Sequence, residues 1–265
     1  MPDNQYTLET LSRGLTILSL FTRETPTLNL TEIVSLTGIN KTTTFRIVST
    51  LETGGYLLRD PETKRYKPGI KVLQLGFAAI SSLELRQVAR PYLERLSQQV
   101  GETVSLSILD GMEIIYIDRV RNRQIVGVLL GLGSRLPAHC TSMGKALLAQ
   151  LSTGELNCRL ANVDLKPCTP KSVPCRKELE AELSRVREQG FALNDEELEI
   201  GLRAVAAPVF DSSQQAVAAI NVTGSASAIS IEKLSDEISE AVRATALQVS
   251  QALGYRVEGM RHRGI

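Results

Sequence analysis

Apolar residues along this chain follow two periods. Up to about residue 100 they recur every three or four positions, as amphipathic helices require; beyond it several runs alternate every second position, as half-buried strands do. Leu8, Leu11, Leu15, Leu18 and Phe21 form a stripe that predicts a first helix over 7–21, packed beneath the two helices that follow. A polar turn with Pro26 comes next, and Asn29 or Thr31 can cap its successor. Leu30, Ile33, Val34 and Leu36 suit one buried face of a second helix. Gly38 stands where the chain must turn sharply, and Asn40 can cap a third helix. In that helix Phe45, Val48 and Leu51 are expected inward, which leaves Lys41, Thr42, Thr43, Thr44 and Arg46 outward. Gly54-Gly55 ends it. Residues 56–59 and 66–67 then read as hairpin strands around a tip at 60–65.

After the hairpin the spacing predicts helices over 69–83 and 84–100. The first is very apolar for its length (Val72, Leu73, Leu75, Phe77, Ile80). It is either a core helix or a linker that pairs with the same helix of a second copy. Pro91 suits a helix start or forces a break. Next, TVSLSILDGMEIIYIDRV gives two alternating runs joined by Asp110-Gly111, a strong hairpin signal. Val104, Leu106 and Ile108 share one side; Ile114, Tyr116 and Asp118 alternate with Ile115 and Ile117. QIVGVLLG reads as a further strand, and GSRLPAHC as a loop entering a helix near 142. Helices are predicted over 153–160 and 176–189, with a Pro-rich irregular segment between them. RAVAAPVF and QAVAAINVTG form a strand pair, and 231–253 a final helix. The fold class is α+β: an N-terminal winged helix-turn-helix over 1–68, a linker helix over 69–85, an antiparallel sheet flanked by helices over 86–256, and a tail over 257–265.

Charge sharpens the first part. Residues 40–71 hold seven cations (Lys41, Arg46, Arg59, Lys64, Arg65, Lys67, Lys71) and three acids, in a chain of net charge +1. A basic patch on a helix-turn-helix with a basic hairpin tip is the footprint of a DNA-reading face. Thr42, Thr43, Thr44 and Arg46 are expected near base edges or adjacent phosphates, and Lys41, Lys64 and Arg65 on phosphates. The N-terminus lacks a basic region followed by an apolar run, and no apolar stretch is long enough to span a membrane, so a cytoplasmic protein is expected. Cys140, Cys158, Cys168 and Cys175 form no CxxC pair, and the histidines are His139 and His262. No metal or cofactor site and no catalytic triad follow from them. His139 and Cys140 are adjacent, which normally points side chains apart.

The second part offers the makings of a pocket. Thr141-Ser142-Met143-Gly144 leads into a helix, whose first N–H groups suit an anion such as a carboxylate. Asn194, Asn221 and Thr223 are uncharged polar groups; Ile125, Val128, Leu202 and Ala204 supply apolar walls. Each has a plainer role open to it: Ser142 as a helix cap, Asn194 in a turn, Thr223 as a strand former. Arg119, Arg121, Arg123 and Arg135 read as a solvated face.

Three ordered stretches are similar to the IclR family of transcriptional regulators: LTEIVSLTGINKTTTFRIVSTLETGGYL, LPAHCTSMGKALLAQL, and GFALNDEELEIGLRAVAAPVFD with AAINVTG. The resemblance implies a GAF-like second domain that binds a small effector, and homodimers or tetramers on double-stranded operator DNA. It also implies effector-contacting positions. Ser142 and Met143 match backbone donors and Asn194 an acidic position. Leu202 and Ala204 match a Leu and a Cys, and Asn221 and Thr223 two serines. GSRLPAHCTSMGKALLA resembles regulators of aromatic-acid breakdown that answer to protocatechuate or 4-hydroxybenzoate. Asn194 for an acid and Ala204 for a Cys suit such a larger ligand better than glyoxylate or pyruvate, the alternative.

Overall fold

The computed structural model describes residues 7–22, 25–81, 84–121, 131–161 and 163–256. The chain divides into two compact units, meeting at residues 82 and 83.

The first unit contains α1 (Glu9–Ser19), α2 (Leu30–Thr37), α3 (Lys41–Thr53), the hairpin β1 (Leu57–Arg59) and β2 (Tyr66–Pro68), and α4 (Ile70–Ser81). Local chemistry sets each boundary. Asn29 caps α2 reciprocally with Glu32: Asn29 Oδ1 accepts from Glu32 N at 2.9 Å, and Glu32 Oε2 accepts from Asn29 N at 2.8 Å. Gly38 ends α2 at φ 68°, and Asn40 Oδ1 caps α3 by accepting from Thr43 N at 2.9 Å. Ile17, Leu28, Ile33, Ile47, Val48, Leu57 and Tyr66 make the core. Leu28 bridges Tyr66, adding a third short edge to the hairpin.

Three expectations about faces are corrected here. Leu8, Leu11 and Leu15 are exposed, and α1 meets its neighbours through Gly14 and Ile17 instead. A Cβ at Gly14 would stand 3.7 Å from Ile47 Cγ2, an ordinary packing distance. Leu36 is also exposed. In α3 the inward stripe is Thr44, Ile47, Val48 and Leu51, so Phe45 lies outward, half exposed, and Thr44 is fully buried. The Thr44 hydroxyl donates to the carbonyls of Ile39 and Asn40, at 3.2 and 3.0 Å, which satisfies it inside the turn.

The second unit starts with α5 (Glu84–Val100), which runs unbroken through Pro91. Its sheet comprises β3 (Thr103–Asp110), β4 (Glu113–Val120), β5 (Arg135–Pro137), β6 (Ala192–Asp195), β7 (Leu202–Phe210) and β8 (Ala216–Ser225), in the order β5-β4-β3-β8-β7-β6. Every neighbouring pair is antiparallel. A 3-10 turn at Ala138–Cys140 leads into α6 (Ser142–Leu148). Then come α7 (Thr153–Leu160), α8 (Arg176–Gln189), and a closing helix made of α9 (Ile231–Lys233), a π turn (Leu234–Ile238) and α10 (Ser239–Ala252). Alternation along the strands sorts the side chains onto two faces. Val104, Leu106, Val205, Ile220 and Val222 pack with α5 and α10. Ile114, Tyr116, Ala192, Ala206 and Ala219 pack with α6, α7 and α8.

A bulge in β4 breaks the expected alternation. Leu106 pairs with Asp118 but Ser107 pairs with Tyr116, so Ile117 is the extra residue. Tyr116 and Arg119 therefore share the α6 face, whereas Asp118 turns to the α5 face. There it is buried and paired with Arg90 at 2.8 Å and Arg86 at 3.4 Å. The QIVGVLLG strand, Ile125, Val128, Arg123, His262 and the 257–265 tail lie outside the described residues.

Candidate functional site

Two sites are built by these elements, one in each unit. On the first, Lys41, Thr42 and Arg46 are exposed at the N-terminal end of α3, beside the unexpected Phe45; Thr43 is partly covered. The hairpin tip is ordered by Asp60, whose carboxylate accepts from Glu62 N at 2.9 Å and Thr63 N at 2.8 Å. The Thr63 and Glu62 bonds hold that carboxyl below its usual range. Lys64 is left-handed (φ 58°) at the exposed tip, its Nζ donating to Pro61 O at 2.5 Å. Arg65, expected on phosphate, turns back instead. Its Nε donates to Thr27 Oγ1 and its terminal nitrogen to Thr27 O, both at 3.0 Å, and it pairs with Glu32 at 2.8 Å. Arg65 thus braces the hairpin against the capping box of α2. Thr44, buried and already hydrogen-bonded, does not face outward with its neighbours either.

The second site lies on the α6 face of the sheet. Cross-strand register stacks Arg119, Ser105 and Asn221 in one row, and Thr103, Thr223 and Ala204 in the next, with Asn194 following Ala204 on β6. Over these rows sits the entry to α6. Ser105, Tyr116, Arg119, Thr141, Ser142, Asn194, Leu198, Leu202, Ala204, Asn221 and Thr223 line a cavity whose free volume is about 20 Å³, enough for one water.

Hydrogen bonding separates the lining residues by role. Thr141, not Ser142, caps α6: its Oγ1 accepts from Gly144 N at 3.1 Å. Ser142 Oγ is thereby left buried without a partner, and Asn221 Oδ1 is in the same condition. Buried polar atoms are nearly always satisfied, so two orphans facing one cavity mark a place for a polar ligand. Asn221 Nδ2 donates to Thr223 Oγ1 at 2.8 Å. Asn194 is committed to the protein: Nδ2 donates to Cys140 O at 2.6 Å, and Oδ1 accepts from Glu197 N at 3.3 Å. Met143 does not line the cavity. It is buried in the core, where Sδ accepts from the Ser107 hydroxyl at 3.1 Å. Leu202 and Ala204 give the apolar wall.

Arg119 is the lining residue that the sequence reading set aside. Burial holds its guanidinium below the usual range, and it lies over the Tyr116 ring at 5.9 Å, whose phenol burial pushes up to about 12. A half-buried cation favours an anion beside it. The β4 bulge that turns Arg119 inward leaves no signature in residue spacing. Arg135 behaves as anticipated, exposed and paired with Asp110 and Glu113 at 2.7 Å. Among the described residues no group of three or more His, Cys, Asp or Glu could hold a metal, and no helix is long and apolar enough to cross a membrane.

A helix-turn-helix unit joined to a sheet unit with a polar pocket is the build of a ligand-responsive transcriptional regulator. Residues 10–61 match the IclR helix-turn-helix domain, and residues 77–251 match the C-terminal domain of bacterial IclR transcriptional regulators. The chain belongs to the IclR family. It is similar to the HTH-type transcriptional regulator XynR of Escherichia coli (strain K12), 35% identical over 94% of this chain and 98% of XynR. It is 38% identical to the Pca regulon regulatory protein of Pseudomonas putida, over 82% of this chain and 74% of that protein. The Thermotoga maritima IclR structure matches with a TM-score of 0.70 at 32% identity, covering 93% of this chain and 99% of that one.

Proposed function

We propose that the protein is a cytoplasmic regulator that works as a homodimer or tetramer. It reads operator DNA with α3 and the hairpin, and it responds to a small carboxylic acid in the cavity under α6. The pair of buried orphans, Ser142 Oγ and Asn221 Oδ1, carries the effector half of this reading. Arg119 and Ser142 meet the carboxylate, and Asn221 meets a polar group at the other end. An aromatic acid such as 4-hydroxybenzoate or protocatechuate is favoured, from the wording of the 133–149 stretch and from Asn194 and Ala204. The small free volume speaks for a second reading, a keto acid such as glyoxylate or pyruvate. The aromatic acid requires the cavity walls to move apart. The exposed Ile70, Leu73 and Leu75 of α4 support pairing with a second copy. Effector and operator affinities change by one reciprocal factor.

Two measurements test the halves separately. In a thermal titration with 4-hydroxybenzoate, protocatechuate, benzoate, glyoxylate and pyruvate, a true effector at ~100 times its Kd adds about 2.7 kcal/mol. That is a rise on the order of 5–10 °C for a unit of this size. Ser142→Ala is expected to weaken the responding acid by roughly 10- to 100-fold, the worth of a hydrogen bond to a charged group. An unaltered Kd would remove Ser142 from the site. For DNA, a duplex selected from a random pool serves as operator. Arg46→Ala should weaken it by roughly tenfold or more, and Lys64→Ala should reduce the salt slope by about 1. Arg65→Ala is expected to lower the melting point of the first unit with a smaller change in salt slope than Lys64→Ala. The reverse order would return Arg65 to the phosphate contacts.

A further inference from the structure

All four cysteines among the described residues are free, and two of them flank one hydroxyl, that of Ser172. Cys140 closes the 3-10 turn just before Thr141 and Ser142 and is buried; Cys168 is exposed in the irregular segment that precedes α8. Both reach one hydroxyl. Cys140 Sγ lies 3.9 Å from Ser172 Oγ, and Cys168 N donates to that oxygen at 2.9 Å. Cys140 Sγ is also 3.9 Å from Lys166 O, which His139 Nε2 meets at 2.9 Å. The tight turn therefore sets His139 and Cys140 side by side, where an extended chain would part them. Burial pushes the Cys140 thiol up, but the neighbouring His139 and Cys168 outweigh it and bring it below the ordinary range. Burial and the neighbouring Cys140 push Cys168 up to about 12. Of the two sulfurs, Cys140 is the better thiolate.

We propose that Cys140 and Cys168 form a redox-active pair that closes to a disulfide when the protein meets hydrogen peroxide, and that closure displaces the wall of the cavity under α6. In the first step a thiolate sulfur attacks one peroxide oxygen. The O–O bond breaks, hydroxide leaves and takes up a proton as water, and the sulfur becomes a sulfenic acid. The second thiol then attacks that sulfur. The S–S bond forms, the S–O bond breaks, and a second water leaves with the thiol proton. The two sulfurs lose two electrons together and the peroxide gains them. Closure requires the segment around Cys168, which belongs to no helix or strand, to bring its sulfur to bonding distance of Cys140.

The path to the cavity is short. Cys140 O accepts from Asn194 Nδ2 at 2.6 Å, and the next two residues, Thr141 and Ser142, line the cavity. On the other side Ser172 Oγ donates to Glu197 O at 2.6 Å, which ties the Cys168 segment to the β6–β7 connection. Only the effect on effector binding rests on the function proposed above; formation of the bond does not.

The test uses the full chain carrying Cys158→Ser and Cys175→Ser. These two exposed cysteines are removed so that they cannot form disulfides of their own. Peroxide treatment is expected to remove two hydrogens from the intact mass and to give a peptide joining Cys140 to Cys168, reversed by dithiothreitol. Adding Cys168→Ser, at an exposed position, should abolish the linked peptide and leave a Cys140 sulfenic acid that dimedone traps when the oxidised chain is unfolded in urea. If both thiols instead remain open to alkylation, or oxidise singly without a link, the pair is not redox-coupled. Hydrogen exchange over 138–149 reads the second claim without any effector. Faster exchange by several-fold in the linked form is expected; identical exchange would leave the bond but refute its action on the cavity.

Discussion

Gly144→Ala is expected to destabilise the second unit by about 3 kcal/mol or more, the upper end of what overpacking costs. A Cβ at that position would stand 2.1 Å from the carbonyl oxygen of Ala138, 2.3 Å from its Cα and 2.5 Å from its carbonyl carbon. All three are backbone atoms, so no flexible side-chain tip can give way. Either α6 retreats from the sheet or the 3-10 turn leaves its place. The first exposes a helix that is buried along its whole length from Ser142 to Leu148. The second strips the Thr141 cap from Gly144 N and carries Cys140 away from Asn194. Both routes pull Ser142 out of the cavity, so effector binding is expected to fail in any fraction that still folds. Urea unfolding of the full chain checks the stability, with Gly154→Ala as the control. Gly154 lies in α7 with nothing within 4 Å of an added Cβ, and alanine there should add about 0.4–1 kcal/mol. Equal midpoints for Gly144→Ala and the parent would mean that α6 does not press on the turn as described.

The contrast between these glycines shows what a single sequence discloses. Hydrophobic period gave the helices of the first unit and the paired strands of the second, because both repeats are fixed by backbone geometry. Turn chemistry gave Gly38, Asn40 and Asp110-Gly111 for the same local reason. The phase of a stripe is another matter. In α3 the inward residue is Thr44 rather than Phe45, and its hydroxyl is satisfied there by the carbonyls of Ile39 and Asn40, a bond phenylalanine cannot make. In α1 three leucines made the more obvious stripe, yet Gly14 and Ile17 face the core. The cavity was legible to the extent that its lining follows strand alternation, as Asn221 and Thr223 do. Arg119 escaped because one bulged residue, Ile117, reverses the alternation behind it. The split between Ser142 and Thr141 also lay beyond the sequence, since both are good caps and only geometry assigns the role.

Lys145→Met is the second substitution expected to act strongly, and its pH dependence identifies the cause. Lys145 is 1% exposed, and its Nζ lies 2.7 Å from Glu197 Oε1, 2.8 Å from Oε2 and 3.5 Å from Glu182. Glu182 keeps a partner in Arg185 at 2.7 Å; Glu197 has no such second cation among its described ion pairs. Burial already raises the Glu197 carboxyl above its ordinary range, and the Lys145 ammonium is what opposes that rise. Methionine preserves most of the side-chain volume, so the loss reflects charge rather than a cavity. Removing one member of a buried pair costs about 3–5 kcal/mol. The sign with pH follows from linkage. Without the ammonium, the folded-state pKa of Glu197 climbs further above its unfolded value. Above that folded pKa the variant must bury a bare carboxylate, and the full penalty is present. As pH falls through it, the folded state takes up a proton, the group becomes neutral, and the penalty shrinks. Urea midpoints of variant and parent should therefore approach one another on going from about pH 8 toward about pH 5. Adding Glu197→Gln to Lys145→Met should recover most of the loss and flatten the pH dependence, because the double variant buries no charge. A deficit that is the same at both pH values would put the damage in packing instead. The pair also joins α6 to the β6–β7 connection, whose Glu197 N–H holds Asn194 Oδ1. A double variant that regains stability but not effector affinity would assign the ion pair to alignment of the cavity walls as well as to the fold.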